Sequence, residues 1–221
     1  MLTVHHLNNS RSQRVLWLLE ELGVAYGIVR YQRQADMRAP KELRAIHPLG
    51  KSPVISDDGN TIAESGAIVE YIVGTYGNGR LIPPANTPER LRYTYWLHYA
   101  EGSAMPPLLL KLLFTLMPKR APALLRLLVR KVSSQALTTL VNPQLKQHMA
   151  FWEEELAKSD WFAGPEFTAA DIQMSFPLEA AAARGGLEQG HPRAMAFLDR
   201  IHARPAYQTA LQKGGPYAVG R

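Results

Sequence analysis

Three short clusters within the first 66 residues place hydroxyl, amide, carboxylate and cationic side chains where backbone polar groups are also open. The first is Asn8-Asn9-Ser10-Arg11-Ser12-Gln13-Arg14, between a predicted strand (residues 2–6) and a predicted helix (residues 11–22). A helix start leaves N–H groups without intrahelical partners and favours negative charge. A hydroxyl there can donate to an anion held at that point, or it can simply cap the helix. The second cluster is Gly50-Lys51-Ser52-Pro53 ahead of a predicted strand. Proline opening a strand has no N–H to give and is expected at a sheet edge. A cis Ser52–Pro53 bond would turn the preceding backbone outward, free to pair with an extended peptide. The third is Glu64-Ser65-Gly66. Ser65 is expected to cap a helix whose open N–H groups can receive a carboxylate, while Glu64 can meet an ammonium.

The elements that must hold these clusters alternate strand and helix. Val15, Leu18, Leu19 and Leu22 share one helical face, and Gly23 is a natural stop. Residues 28–31 read as a strand and 40–46 as a short helix with proline tolerated at its start. Residues 53–56 and 60–63 flank Asp57-Asp58-Gly59 and should pair as an antiparallel hairpin. Helical spacing returns at 65–76. Residues 81–88 carry three prolines and read as a linker. Everything beyond is helical in pattern: 89–105, 108–117, 123–140, 143–159, 169–184 and 193–203. The chain thus divides into a small α/β domain (1–80), a linker (81–88) and a helical domain (89–221).

Composition narrows the chemistry. The 221 residues include no cysteine, which excludes disulfides, thiolate metal sites and a protein cysteine nucleophile. The seven histidines show no metal-ligand spacing, so no metal is expected. A net charge of +6 suits anionic small molecules, and its spread through helical patterns argues against nucleic acid. No secretory signal opens the sequence, and the most apolar stretch, 108–117, is too short to span a bilayer and contains Lys111. Membrane insertion is not expected, and the cytoplasm is the expected compartment. Residues 120–131, where Arg120, Arg126, Arg130 and Lys131 punctuate leucines, read either as a basic helix on a membrane surface or as a helix connection packed in the helical domain; packing is the expectation.

Taken in order, a hydroxyl at a strand–helix junction, an X-Pro strand, a turn and Glu-Ser before a helix resemble the thioredoxin-like domain of cytosolic glutathione S-transferases. Further on, Phe167-Thr168-Ala169-Ala170-Asp171-Ile172 resembles that family's capping box and staple, with Thr168 at N-cap, Asp171 at N3 and Phe167 set to pack on Ile172. The predicted helix ending near residue 203, followed by Arg204-Pro205-Ala206-Tyr207, extends the likeness to essentially the whole chain. The Asn-Ser-Arg start is similar to bacterial and fungal members with a serine- or asparagine-type site. No tyrosine lies near the first strand.

The resemblance implies a thioredoxin-like α/β domain joined to an all-α domain, with glutathione as co-substrate and no other cofactor. It implies that Glu64 and Ser65 hold the γ-glutamyl group, that Ser52 before Pro53 meets the cysteinyl backbone, and that Lys51 or Arg38 meets the glycine carboxylate. Ser10, Asn9 and Arg11 are the candidates to stabilise the thiolate, with Ser12 read as a cap on another side. A hydrophobic electrophile is expected between the domains, against Tyr95, Tyr99, Met105 and Leu109, with Gly102, Pro106, Leu113, Phe114 and Met117 as extensions. Trp152, Phe176 and Phe197 are expected in the core. The implied activity is thiolate attack on an electrophile. Glutathione-dependent reduction of disulfides or peroxides, and non-catalytic carriage of a ligand, are the alternatives. The family's usual homodimer, with residues 65–76 of one chain against the post-linker helices of the other, is the implied assembly.

Overall fold

A computed structural model describes residues 1–34 and 38–219. Strand β1 (Thr3–Leu7) leads through helix α1 (Ser12–Leu22) to β2 (Gly27–Tyr31), which pairs parallel to β1. After the short helix α2 (Lys41–Ile46), strands β3 (Val54–Asp57) and β4 (Asn60–Ala63) form a hairpin, and helix α3 (Ser65–Tyr76) follows. The sheet order is β2-β1-β3-β4, with β3 antiparallel to β1. The hairpin turns on Asp58 (φ 44°) and Gly59 (φ 82°), the two positive angles that a two-residue turn matched to strand twist requires. Gly23, in the left-handed conformation, closes α1.

One strand expectation is corrected. Because β3 lies inside the sheet, Pro53 is not on an edge; it stands one residue ahead of the ladder, where no N–H is needed.

The rest of the chain is helical: α4 (Pro88–Tyr99), α5 (Met105–Arg120), α6 (Arg126–Ala136), α7 (Asn142–Glu155), α8 (Ala169–Arg184), α9 (Pro192–His202) and α10 (Pro205–Gly214). Two predicted breaks do not occur. A π-helical turn at Ala100–Ala104 joins α4 to α5, and another at Leu137–Val141 joins α6 to α7. Proline in a regular helix collides with the carbonyl four residues back. For Pro106, Pro107 and Pro143 those carbonyls belong to the wider π turns, so the helices run on. Beyond the predicted helix ending near residue 203, the chain forms a further helix, α10, which opens at Pro205.

Helix α1 is the keystone. It lies between the sheet and the helical layer, packing on β1 and α3 as well as α8 and α10. Leu16, Trp17, Leu18 and Leu19 are all fully buried, each contributing about 1.5–3 kcal/mol of apolar burial. Trp17 meets Tyr207 of α10 edge to face at 5.1 Å. Trp152, Phe176 and Phe197 are buried as expected. Residues 120–131 pack only in part: α6 lies against α5, while Leu124, Leu125, Leu127 and Leu128 are exposed on the α5–α6 arm. Among the described residues no helix is long and apolar enough to cross a membrane.

Candidate functional site

Three loops converge because β1 and β3 run antiparallel. The exit of β1, the entrance of β3 and the exit of β4 meet at one end of the sheet, with His5 opposite Val54 and Val54 opposite Ala63. There they border a cleft of about 330 Å³ lined by Arg11, Lys51, Ser52, Pro53, Glu64, Ser65 and, from the helical layer, Glu101 and Leu109. An adjoining groove of about 340 Å³ shares Arg11, Lys51 and Ser52 and adds Arg33, Arg38 and Arg44.

The Ser52–Pro53 peptide is cis. Just before it, Gly50 takes φ +56°, and a Cβ there would lie 2.5 Å from Arg44 Cγ, so this close turn presenting Lys51 needs glycine. Glu64 also holds a positive φ of 70°, uncommon for a side chain of its size. The residue before α3 is therefore Glu64, not Ser65: Ser65 opens the helix, correcting the expected cap. The first N–H groups of α3 have no intrahelical acceptor. Glu64 and Ser65 both face the cleft there.

The start of α1 is built around hydroxyls. Ser10 is buried, with its Oγ 3.2 Å from Ser52 Oγ and 2.8 Å from Ser12 Oγ, and it accepts from the Ser12 N–H at 3.2 Å. Ser10 is thus behind Ser52 in the cleft wall. Ser12 does not face elsewhere as a cap; it joins Ser10 to His6, with its Oγ 2.9 Å from His6 Nδ1. Burial first, and Arg30 after it, push His6 down to about 4 against a raising bond from the Gly214 backbone. The ring is neutral at pH 7. Asn9 is turned away: its side-chain oxygen accepts from the Ala218 N–H at 2.7 Å.

Positive charge at this wall is fixed in place. Arg14, 2% exposed, donates to the Gln173 carbonyl at 2.5 Å, to Ser65 Oγ at 3.1 Å and to Glu101 Oε1 at 2.5 Å. Arg11 Nε donates to the same Glu101 oxygen at 2.9 Å, and its guanidinium lies 4.8 Å from the Phe176 ring centre. Burial works to raise the Glu101 carboxyl, but Arg14 and Arg11 outweigh it and hold it below the usual carboxylate range. The π turn presents Glu101 to both arginines. Sequence reasoning missed Arg14, Glu101 and His47, which also lines the cleft. Arg14 left a signal: it stands four residues before Leu18 on the apolar stripe, and a buried cation there demands a counter-charge.

Of the residues expected at the electrophile, Leu109 lines the cleft and the others do not. Tyr99 is buried against Trp96 and Phe151, its hydroxyl bonded to Trp152 Nε1 at 3.1 Å and to His148. Met105 is buried, and Tyr95 is half-exposed with its ring stacked on Tyr99. Aromatic packing accounts for the place of Tyr99. Among the described residues no group of His, Asp and Glu could hold a metal ion.

Comparison with known proteins places this architecture. The family model described as the glutathione S-transferase N-terminal domain matches residues 1–74, and the one described as its C-terminal domain matches residues 116–205. The chain is 35% identical to Glutathione S-transferase 3 of Schizosaccharomyces pombe over 96% of this chain and 88% of that protein. It is 32% identical to Glutathione S-transferase 1 of Saccharomyces cerevisiae, over 96% and 95% respectively. Among solved structures, a glutathione S-transferase from Actinobacillus pleuropneumoniae superposes with a TM-score of 0.81 at 29% identity, covering 100% of this chain and 96% of that one. A theta class enzyme from Xanthomonas axonopodis pv. citri, with glutathione bound, gives 0.72 at 25% identity over 95% and 96%. The chain belongs to the glutathione S-transferase family.

Proposed function

We propose that the chain is a glutathione transferase that binds the tripeptide extended across the cleft and directs its thiolate at an apolar electrophile. The observation that carries this reading is the convergence of the cis Ser52–Pro53 peptide, Glu64-Ser65 and the start of α1 on one cleft. The γ-glutamyl group meets Glu64, Ser65 and the open N–H groups of α3. The cysteinyl backbone pairs beside Ser52 and Pro53, and the glycine carboxylate turns toward Lys51, with Arg38 on the adjoining groove. The sulfur then faces the start of α1, where Ser10, 3.2 Å behind Ser52, supplies a hydroxyl and Arg11 a fixed positive charge.

A free cysteine thiol titrates near roughly 8.5 and is mostly protonated at neutral pH. Lowering it by two units takes about 2.7 kcal/mol. One hydroxyl donating to an anion contributes about 1.5–3 kcal/mol, and a helix N-terminus about 0.3–1 kcal/mol. Together they form the thiolate without a general base. Its lone pair attacks an electrophilic carbon, a C–S bond forms, and any leaving group departs with its electron pair. Leu109 supports an apolar second substrate. The tripeptide's fixed pose supplies the orientation.

Titration calorimetry with glutathione tests the binding step; saturable heat is expected, and no heat at millimolar ligand removes the proposal. Parallel assays with chlorodinitrobenzene, hydroxyethyl disulfide and cumene hydroperoxide then assign the chemistry. Conjugation is the expected activity. Reduction without conjugation would make the protein a glutathione-dependent reductase, and binding alone a carrier. The cytoplasm and a homodimer complete the proposal.

A further inference from the structure

The far end of the α5–α6 arm presents apolar and cationic side chains together. Leu124 is 97% exposed and Leu127 70%, while Leu125, Leu128 and Val132 are each more than half exposed. Leu125, Leu128 and Val132 follow helical spacing and so form a stripe along α6, with Leu124 in the short turn at its start. Val129 and Ser133 lie on the neighbouring side, where Val129 is half-buried and Ser133 buried. Helix α6 packs against α5, yet the leucine stripe is not the side it gives to the fold.

Lys119, Arg120, Arg126, Arg130 and Lys131 stand around these leucines and are all exposed. Among the described residues none of the five makes an ion pair. The arm's own sequence supplies no counter-charge, because no Asp or Glu occurs between Gly102 and Trp152. Apolar area left open on a folded chain marks contact with a protein or a membrane, and the charge selects between them. Two arms of this chain meeting tip to tip would set like charges against one another. Protein interfaces deplete charge from their apolar centre, whereas Arg126, Arg130 and Lys131 sit among the leucines. A bilayer carrying anionic lipid answers both features at once. Its headgroups take the cations, whose long stems reach back from the apolar side chains, and the acyl boundary below takes the leucines. No helix of the described residues is long and apolar enough to cross a bilayer, so the contact is with its surface.

We propose that residues 117–132, the tip of the arm, are a docking surface for anionic lipid bilayers, on which the protein rests without spanning them. The apolar stripe enters the headgroup boundary and the five cations hold the anionic lipids around it. This is independent of the reaction performed in the cleft.

The test is sedimentation of the full chain with two kinds of vesicle: phosphatidylcholine alone, and phosphatidylcholine mixed with an equal part of phosphatidylserine. Saturable retention on the mixed vesicles is expected, with little on phosphatidylcholine alone and a loss as salt rises. Arg126→Gln, Arg130→Gln and Lys131→Gln together are expected to weaken retention about 10- to 100-fold. Leu124→Ser with Leu128→Ser keeps every charge and is expected to weaken it about tenfold or more. Neither set touches the cleft, so glutathione binding by calorimetry and the mass by light scattering are expected at the parent values. Equal retention on both kinds of vesicle, or retention that either set leaves unchanged, overturns the inference. No retention on the mixed vesicles overturns it in favour of a protein partner. A leucine variant whose mass falls below the parent's overturns it in favour of a contact between copies.

Discussion

A guanidinium buried as deeply as Arg14 needs a counter-charge, and Glu101 supplies it. Glu101→Gln keeps the shape and deletes the counter-charge. The expected cost is about 2–3 kcal/mol in urea unfolding at neutral pH, below that of a fully enclosed pair because Glu101 is 31% exposed. The pH dependence has a definite sign. Arg14 and Arg11 depress the folded carboxyl against the effect of burial, so this stability is present above the unfolded value of roughly 4.3 and is lost as pH falls through the lower folded value. Glu101→Gln should flatten that acid limb. At Glu64, loss of a charged partner for the ligand ammonium should weaken glutathione by roughly 10- to 100-fold in Glu64→Ala, read by calorimetry, while the thiol pKa barely moves. A parallel pKa change would place Glu64 at the sulfur instead. Ser52, Pro53, Glu64 and Ser65 were legible because each cluster is local and its residue types advertise their backbone. Arg14–Glu101 was not, because that pair depends on how two distant segments meet. Nor does the sequence show that the Tyr99 hydroxyl takes a partner in the core, Trp152 Nε1.

At the scale of elements, α8 is the clearest case of local signals fixing a boundary. The range expected, 169–184, is the range observed, because the capping box is written at its start. Asp171 accepts from the Thr168 N–H at 2.8 Å, the Thr168 hydroxyl at 3.0 Å and the Phe162 N–H at 2.8 Å. Phe167 lies against Trp161 and Trp17, beside this start. Asp171→Ala strands those buried donors, and a loss of about 2–4 kcal/mol is expected by thermal or urea unfolding. A change within 0.5 kcal/mol, the usual range for a surface substitution, would show that the box contributes little. The long helices were misread for the converse reason. Proline marked a break at 106–107 and at 143, yet the π turns that absorb it leave no signature in hydrophobic period. One of those turns carries Glu101 to the cleft, so the departure from regular helix coincides with the site.

Across the whole molecule the positive charge has one main source. Seven of the 25 Lys and Arg residues, and none of the 19 Asp and Glu, fall between Gly102 and Trp152. The charge is concentrated on the α5–α7 arm, more than its spread through helical patterns suggested. Exposed leucines on the same arm, Leu124 at 97%, leave apolar surface that a homodimer through α3 and the post-linker helices would partly cover. Light scattering should therefore return about twice the 24.7 kDa chain mass, and a monomer mass would refute that assembly. The order of layers was readable because strand and helix periods differ; the exposure of the arm was not, because leucines between arginines fit a packed helix equally well. The proposed function requires a cleft that stabilises a bound thiolate. The decisive measurement is the ultraviolet titration of that thiol in the parent and in Ser10→Ala. The parent should titrate well below the free value of roughly 8.5, and Ser10→Ala about one unit higher than the parent. A parent curve indistinguishable from free glutathione would contradict the account.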